Sequence, residues 1–231
     1  MDASNAAPPH AAIALPALVE LVRDALAAAS ADRVLIGIAG SPGAGKSTLA
    51  DALVAELNAA DGAGAAVHLP MDGFHLANAT LDRLGLRGRK GAIETFDGWG
   101  FACLLARVRA EADHVVYAPS FERDVDEPVA AEIAIEPSAR IVIVEGNYLL
   151  VDAEPWDRVT DLLDESWFLE ATESERVDRL VARHTAFGRT PEAAREWALE
   201  VDGANAQLVE PTVARADVVV SAATWEVAVG A

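Results

Sequence analysis

The residues most able to do chemistry sit together near the start of the chain. Gly40-Ser41-Pro42-Gly43-Ala44-Gly45-Lys46-Ser47 has the spacing G-x-x-x-x-G-K-[ST], a loop whose glycines let the backbone wrap around phosphates with its N–H groups pointing inward. A helix starting near Lys46 would add its positive dipole end. Lys46 is predicted to reach the β- and γ-phosphates of ATP, and the Ser47 hydroxyl to ligate Mg²⁺. Thr48 would either pack or touch the α-phosphate.

Two carboxylates stand at strand ends. Asp72 follows Val67-His68-Leu69-Pro70-Met71, so it should emerge at the carboxyl edge of a sheet, where open α/β folds bind ligands. There it could accept the proton of an attacking hydroxyl; a plain turn residue beside Gly73 is the alternative. Glu145 ends the run Ile141 to Val144 and is suited to hold Mg²⁺ through water, or else to cap a helix.

The remaining candidates are cations and a histidine. Arg87-Gly88-Arg89-Lys90-Gly91 is a glycine-flanked basic cluster, and Arg89 and Lys90 could bind a polar acceptor or form a solvated loop. His75 could hydrogen-bond a substrate hydroxyl. Thr172-Glu173-Ser174-Glu175 reads as a capping box opening a helix on which Arg176, Arg179 and Arg183 share one stripe, with His184 on the core-facing one. Arg183 and Arg189 flank a turn into Thr190-Pro191, a helix start. Such a helical hairpin over 172–203 would act as a lid over ATP, bringing Arg183 to the transferring phosphate, with Arg189 beside it. Surface salt bridges are the competing explanation.

The elements that must position these groups alternate. Apolar runs at Val34–Ala39, Ala65–Pro70 and Ile141–Val144, with weaker ones at Ser166–Leu169 and Asp217–Val220, read as parallel strands buried on both faces. Helical spacing covers Pro16 to Ser30 and the segment with Leu49, Leu53 and Leu57. The expected fold is α/β: a P-loop NTPase with a doubly wound parallel sheet flanked by helices and a helical lid. Residues 1–15 read as a flexible tail and 16–231 as one domain. Within it the glycine-punctuated stretch 73–140 is expected to build a substrate site rather than core.

Bulk properties narrow the partners. The 231 residues carry a formal charge of -19 with Lys46 and Lys90 as the only lysines, which disfavours nucleic acid and anionic membranes. The first ten residues lack a basic n-region and nothing later reaches membrane-spanning length, so a cytoplasmic protein is expected. Cys103, the single cysteine, allows no intramolecular disulfide and sits among apolar residues that suggest a buried thiol.

Met71-Asp72-Gly73-Phe74-His75, Arg89-Lys90-Gly91, Glu94-Thr95-Phe96-Asp97 and Glu145-Gly146-Asn147-Tyr148-Leu149-Leu150 together resemble the phosphoribulokinase/uridine kinase family. They look most like bacterial pantothenate kinases and the sugar or nucleoside kinases labelled fructose-transport-system kinases. The resemblance implies a kinase that moves the γ-phosphoryl group of ATP to a hydroxyl of a small metabolite, with Asp72 as base, Lys46 and Ser47 serving ATP and Mg²⁺, and Glu145 completing the metal site. Tyr117, Pro119, Phe121 and Arg123 resemble the segment lining the acceptor pocket. Asp72-Gly73-Phe74-His75 departs from the Asp-Ser-Phe-Tyr usual in uridine kinases, which weakens uridine. Alternatives are a kinase of a phosphorylated acceptor and an NTPase switch or regulatory nucleotide binder. A homodimer is left open, since paired subunits are common among such relatives. By position alone, Asn205, Pro211 and Val213 are candidates for the adenine pocket.

Overall fold

The computed structural model describes residue 7 and residues 11–228. Helix α1 spans Ala11–Ala28, five residues longer at its start than expected. Proline favours the first helical turn, so the sequence signal pointed to Pro16, yet Ala14 is already buried against the domain. The tail reading therefore fails for residues 11–15; the rest of it, residues 1–6 and 8–10, lies outside the described residues.

Five strands, β1 (Val34–Ala39), β2 (Ala66–Pro70), β5 (Ile141–Glu145), β6 (Glu165–Glu170) and β7 (Val218–Ser221), form one sheet in the order β2-β5-β1-β6-β7. All four pairings are parallel. This is the doubly wound sheet the alternating pattern predicted, and its register aligns Glu145 with Ile38 on one side and Pro70 on the other. The loop after β1, Glu145 and the turn after β2 therefore share one edge.

Alternation sorts the apolar side chains to two faces. Val34, Ile36 and Ile38 pack with Leu18 and Val22 of α1 and with Leu49, Leu53 and Leu57 of α2 (Lys46–Asp61). Leu35, Val142 and Val144 pack with Phe101, Leu105, Val159 and Val209, from α4 (Gly98–Ala110), α5 (Trp156–Leu162) and α7 (Pro191–Val209). Each fully buried leucine or isoleucine contributes roughly 1.5–3 kcal/mol, which makes both layers, not one, the scaffold of the site.

The stretch 73–140 is more regular than its glycines suggested. It holds α3 (Asn78–Leu84), α4, and an antiparallel hairpin of β3 (Val116–Glu122) and β4 (Glu127–Ile135). It also supplies core: Phe101, Leu105, Val108, Val116, Ala118 and Ile135 are buried. Gly98 and Gly100 hide the start of α4, where the Asp97 carboxylate caps the Gly100 N–H. Cys103, expected to be buried, is exposed, because on α4 it falls between the inward positions 101–102 and 104–105. Helix α6 (Glu173–Ala186) opens on the expected capping box at Thr172 and Glu175, and α7 opens on Thr190 and Pro191. Among the described residues no helix is long and apolar enough to cross a membrane.

Candidate active site

The phosphate loop forms because β1 ends in residues that demand glycine: φ is 150° at Gly40, 79° at Gly43 and 101° at Gly45, all costly for other residues. Gly45 leads directly into α2. Gly40, Ser41, Pro42, Gly43, Ala44, Gly45 and Thr48 thus lie around the first turn of that helix. Lys46 is buried and its Nζ donates to the Ser41 carbonyl at 3.2 Å and to Asn147 Oδ1 at 2.7 Å. Burial lowers its pKa while Glu145 and Asp72 oppose that shift.

Ser47 Oγ donates to Glu145 Oε1 at 2.9 Å. Burial would raise the Glu145 pKa, but His68, Lys46 and Ser47 hold it below the usual carboxylate value. Two oxygens converging here, beside a loop for phosphates, fit Mg²⁺, which keeps waters and phosphate oxygens and needs few protein ligands. His68 completes the cluster. Its Nδ1 lies 2.8 Å from Asp51 Oδ1 and its Nε2 3.7 Å from Glu145 Oε1. Burial disfavours its charge, but the Asp51 hydrogen bond and the Glu145 charge outweigh burial and push its pKa up to about 9.

Asp72 occupies a 3-10 turn, Met71–Phe74, directly after β2. The next residue must be glycine, because a Cβ at Gly73 would collide with the Pro119 carbonyl of β3. Asp72 faces a cavity of about 500 Å³ shared with Lys46, Ser47, Glu145 and Asn147. His75 Nδ1 donates to the Asp72 carbonyl at 2.8 Å, and its ring packs on Phe96 and Phe121 at 4.0 and 4.7 Å between centroids. Burial lowers the His75 pKa, so the ring is neutral at pH 7.

Of the predicted acceptor residues, His75, Lys90 and Phe121 line this cavity, and Arg87 joins them. Lys90 Nζ stands 4.9 Å over the Phe121 ring and is held by Asn78 Oδ1 at 2.7 Å and Asp126 Oδ2 at 3.0 Å. Arg89 does not join. It is exposed and pairs with Glu94 at 2.9 Å, outside the cavity wall. Tyr117 is 56% exposed and points away. The pairing with β4 shifts register between Ala118 and Ser120, and beyond the shift Phe121 lines the cavity although Tyr117, an even number of residues earlier, is exposed.

Helices α6 and α7 close the opposite side. Arg183 and Arg189 both line the cavity, Arg189 with its guanidinium 3.9 Å from the Trp197 ring centroid. Burial and the neighbouring Arg123 lower the Arg183 pKa. Arg179 donates to the Ala44 carbonyl at 2.8 Å, which ties α6 to the phosphate loop. His184, expected to face the core, lies on the cavity wall with Nε2 2.8 Å from Asp202 Oδ2. Asn205, a candidate for the adenine pocket, donates Nδ2 to the carbonyl of Gly91 at 3.1 Å, and Gly91 lines the main cavity. Val213 lines a separate cavity of about 430 Å³ with Arg176 and Phe168.

Asn147, His68, Asp202 and Trp197 were missed by sequence reasoning. Asn147 had a readable signal, two residues past Glu145 at the same strand end. Asp202 and Trp197 had none, because α7 presents them only through its packing against α6.

The comparisons agree with this architecture. Residues 35–227 match the model of the phosphoribulokinase/uridine kinase family. A provisional uridine kinase of Schizosaccharomyces pombe is 38% identical over 193 residues, covering 81% of this chain and 82% of that protein. A pantothenate kinase of Nocardioides sp. is 32% identical over 213 residues, covering 80% of this chain and 64% of that protein. A crystal structure of a provisional fructose transport system kinase from Silicibacter sp. TM1040 superposes with a TM-score of 0.78 at 40% identity, over 85% of this chain and 94% of that one.

Proposed function

The chain belongs to the phosphoribulokinase/uridine kinase family, and from that premise we propose that it transfers the γ-phosphoryl group of ATP to a hydroxyl of a small polar metabolite. One observation carries the reading: Lys46, the Ser47–Glu145 pair and Asp72 converge on one cavity whose far wall is His75, Lys90 and Phe121. That is a phosphate end and an acceptor end with a carboxylate between them.

In this reading the residues divide the work. Backbone N–H groups of the 40–47 loop and Lys46 hold the phosphates, and Ser47 and Glu145 hold Mg²⁺, which when bound neutralises phosphate charge. Asp72 orients the acceptor hydroxyl and takes its proton as the oxygen attacks. The His75 ring and Phe121 shape an apolar wall for the acceptor body, while Lys90 brings positive charge to it. Arg183, carried by α6, faces the transferring group, and α6–α7 keeps water out. Phosphoryl transfer needs such positioning and charge stabilisation more than covalent chemistry.

A phosphorylated or otherwise acidic acceptor is the second reading. It is favoured by Arg87 and Lys90 on the acceptor wall of a chain with net charge -19. Both readings meet one experiment, a coupled ADP-release assay with ATP-Mg²⁺ against sugars, nucleosides, pantothenate, glycerate and sugar phosphates, with Asp72→Asn alongside. Turnover that requires one acceptor and falls about 10²–10⁴-fold in the variant is expected. Acceptor-independent hydrolysis unaffected by the substitution would sink the kinase reading.

A further inference from the structure

Arg123 is the cation whose placement the kinase reading leaves unused. It sits just past β3, on the connection to β4, and it lines two cavities at once: the main one with Asp72, and an adjoining one over Gly45, Ser47, Thr48 and Arg183. It therefore occupies the wall between the acceptor end and the phosphate end. Its contact there is weak. The nearest carboxylate is Asp72, with Nη2 3.7 Å from Oδ2, beyond hydrogen-bond range. A half-exposed pair of that length is worth little to stability.

The connection that carries Arg123 is nevertheless fixed. Asn78 donates Nδ2 to the Asp126 carbonyl at 2.8 Å and its backbone N–H to Glu127 Oε1 at 3.0 Å. Lys90 bonds both the carbonyl and the carboxylate of Asp126. A guanidinium with unspent donors near a pinned segment, lining the same two cavities as the Arg183 guanidinium, is an arrangement that an anion between them would satisfy. Without that anion the two cations repel; burial is the main reason the Arg183 pKa is lowered, and Arg123 adds to it.

We propose that Arg123 is a further catalytic residue: with Arg183 opposite, it clasps the γ-phosphoryl group in flight. This rests on the kinase reading. As the acceptor oxygen bonds to the γ-phosphorus and the bond from that phosphorus to the ADP oxygen breaks, the hydroxyl proton passes to Asp72 and negative charge grows on ADP. Arg123 exchanges no proton; it releases Asp72 and turns its N–H groups to the equatorial oxygens. Because it rides on the acceptor side, the charge clamp is complete only when the 78–90 and 123–127 segments are in place, which couples acceptor docking to catalysis.

Titrating Mg²⁺-ADP into the protein with and without aluminium fluoride, a mimic of the phosphoryl group in transfer, tests this without knowing the acceptor. Wild type should bind ADP at least tenfold more tightly with fluoride present. Arg123→Ala should lose most of that gain while its affinity for ADP alone stays within about twofold, and Arg123→Lys should keep part of it. An Arg123→Ala protein with the full fluoride gain would overturn the proposal and leave Arg123 to the acceptor or to the hairpin; so would a wild type that binds ADP but gains nothing from fluoride. Failure of wild type to bind ADP at all would instead sink the kinase reading itself. Arg123→Gln and melting curves for each variant separate a lost clamp from a lost fold.

Discussion

The two ends of the sheet treat their cations in opposite ways. At the amino edge, Arg33 precedes β1 and is 2% exposed. It gives Nε to the Ala139 carbonyl at 2.7 Å, Nη1 to Val108 at 2.7 Å and Glu111 at 3.3 Å, and Nη2 to Glu136 at 2.9 Å. At the carboxyl edge, Lys46 leans on one carbonyl and one amide oxygen, Arg123 on one carboxylate at 3.7 Å. Six of the chain's 18 lysines and arginines line that one cavity. A cation whose every nitrogen bonds to backbone, as in Arg33, is structural; cations gathered with donors to spare, as at Lys46 and Arg123, await an anion.

Substitutions at the two ends sharpen this contrast. Lys46→Ala should lower kcat/KM by about 10³-fold or more, roughly 4 kcal/mol of transition-state stabilisation, while the melting temperature changes little. A variant that loses stability in proportion to activity would erase the distinction between the ends. Arg33→Ala should do the reverse. It removes four hydrogen bonds to backbone carbonyls, costs about 3 kcal/mol and lowers the melting temperature by roughly 10 °C, with KM for ATP unchanged.

The carboxyl edge was largely legible because its chemistry is local: Gly40 to Ser47 is one contiguous word, and Asp72 and Glu145 each end an apolar run whose strand register then brings them together. The amino edge was silent. Arg33 looks like any loop arginine, since its four acceptors come from segments 75 to 106 residues away. The acceptor wall lay between these cases. Lys90, read from its glycine-flanked basic cluster, and Phe121, read from the resemblance, line the cavity, whereas Tyr117 and Arg89 do not, because a register shift with its extra residues in β4 and an ion pair to Glu94 are tertiary facts that no spacing encodes. Helix α4 was hidden for a local reason, two glycines at its first turn.

His68 tests whether the carboxyl edge is built for charge even without ligand. Its folded pKa near 9 lies above the ordinary 6.5, so folding favours the protonated form. The stabilisation is fully present below about pH 6.5 and is lost as pH rises through about 9. With Mg²⁺ and nucleotide absent, the wild type should lose on the order of 2 kcal/mol between pH 7 and pH 10, beyond the loss seen in His68→Asn. Parallel melting curves for the two proteins across that range would show that the Asp51–His68–Glu145 cluster carries no net charge coupling.

The smallest effect is expected where the carboxyl edge meets the acceptor rather than the phosphates. Phe121 packs under Lys90 and against the His75 ring, so under the proposed function it would shape the acceptor pocket. Phe121→Ala should raise KM for the acceptor about tenfold, near 1.4 kcal/mol, and leave KM for ATP within a factor of two. If KM for ATP rose as much as that for the acceptor, the two halves of the cavity would be one coupled unit. The separation of roles along it, with satisfied groups at the base, an anion clamp at the centre and an adaptable wall beyond, would then hold only for Arg33.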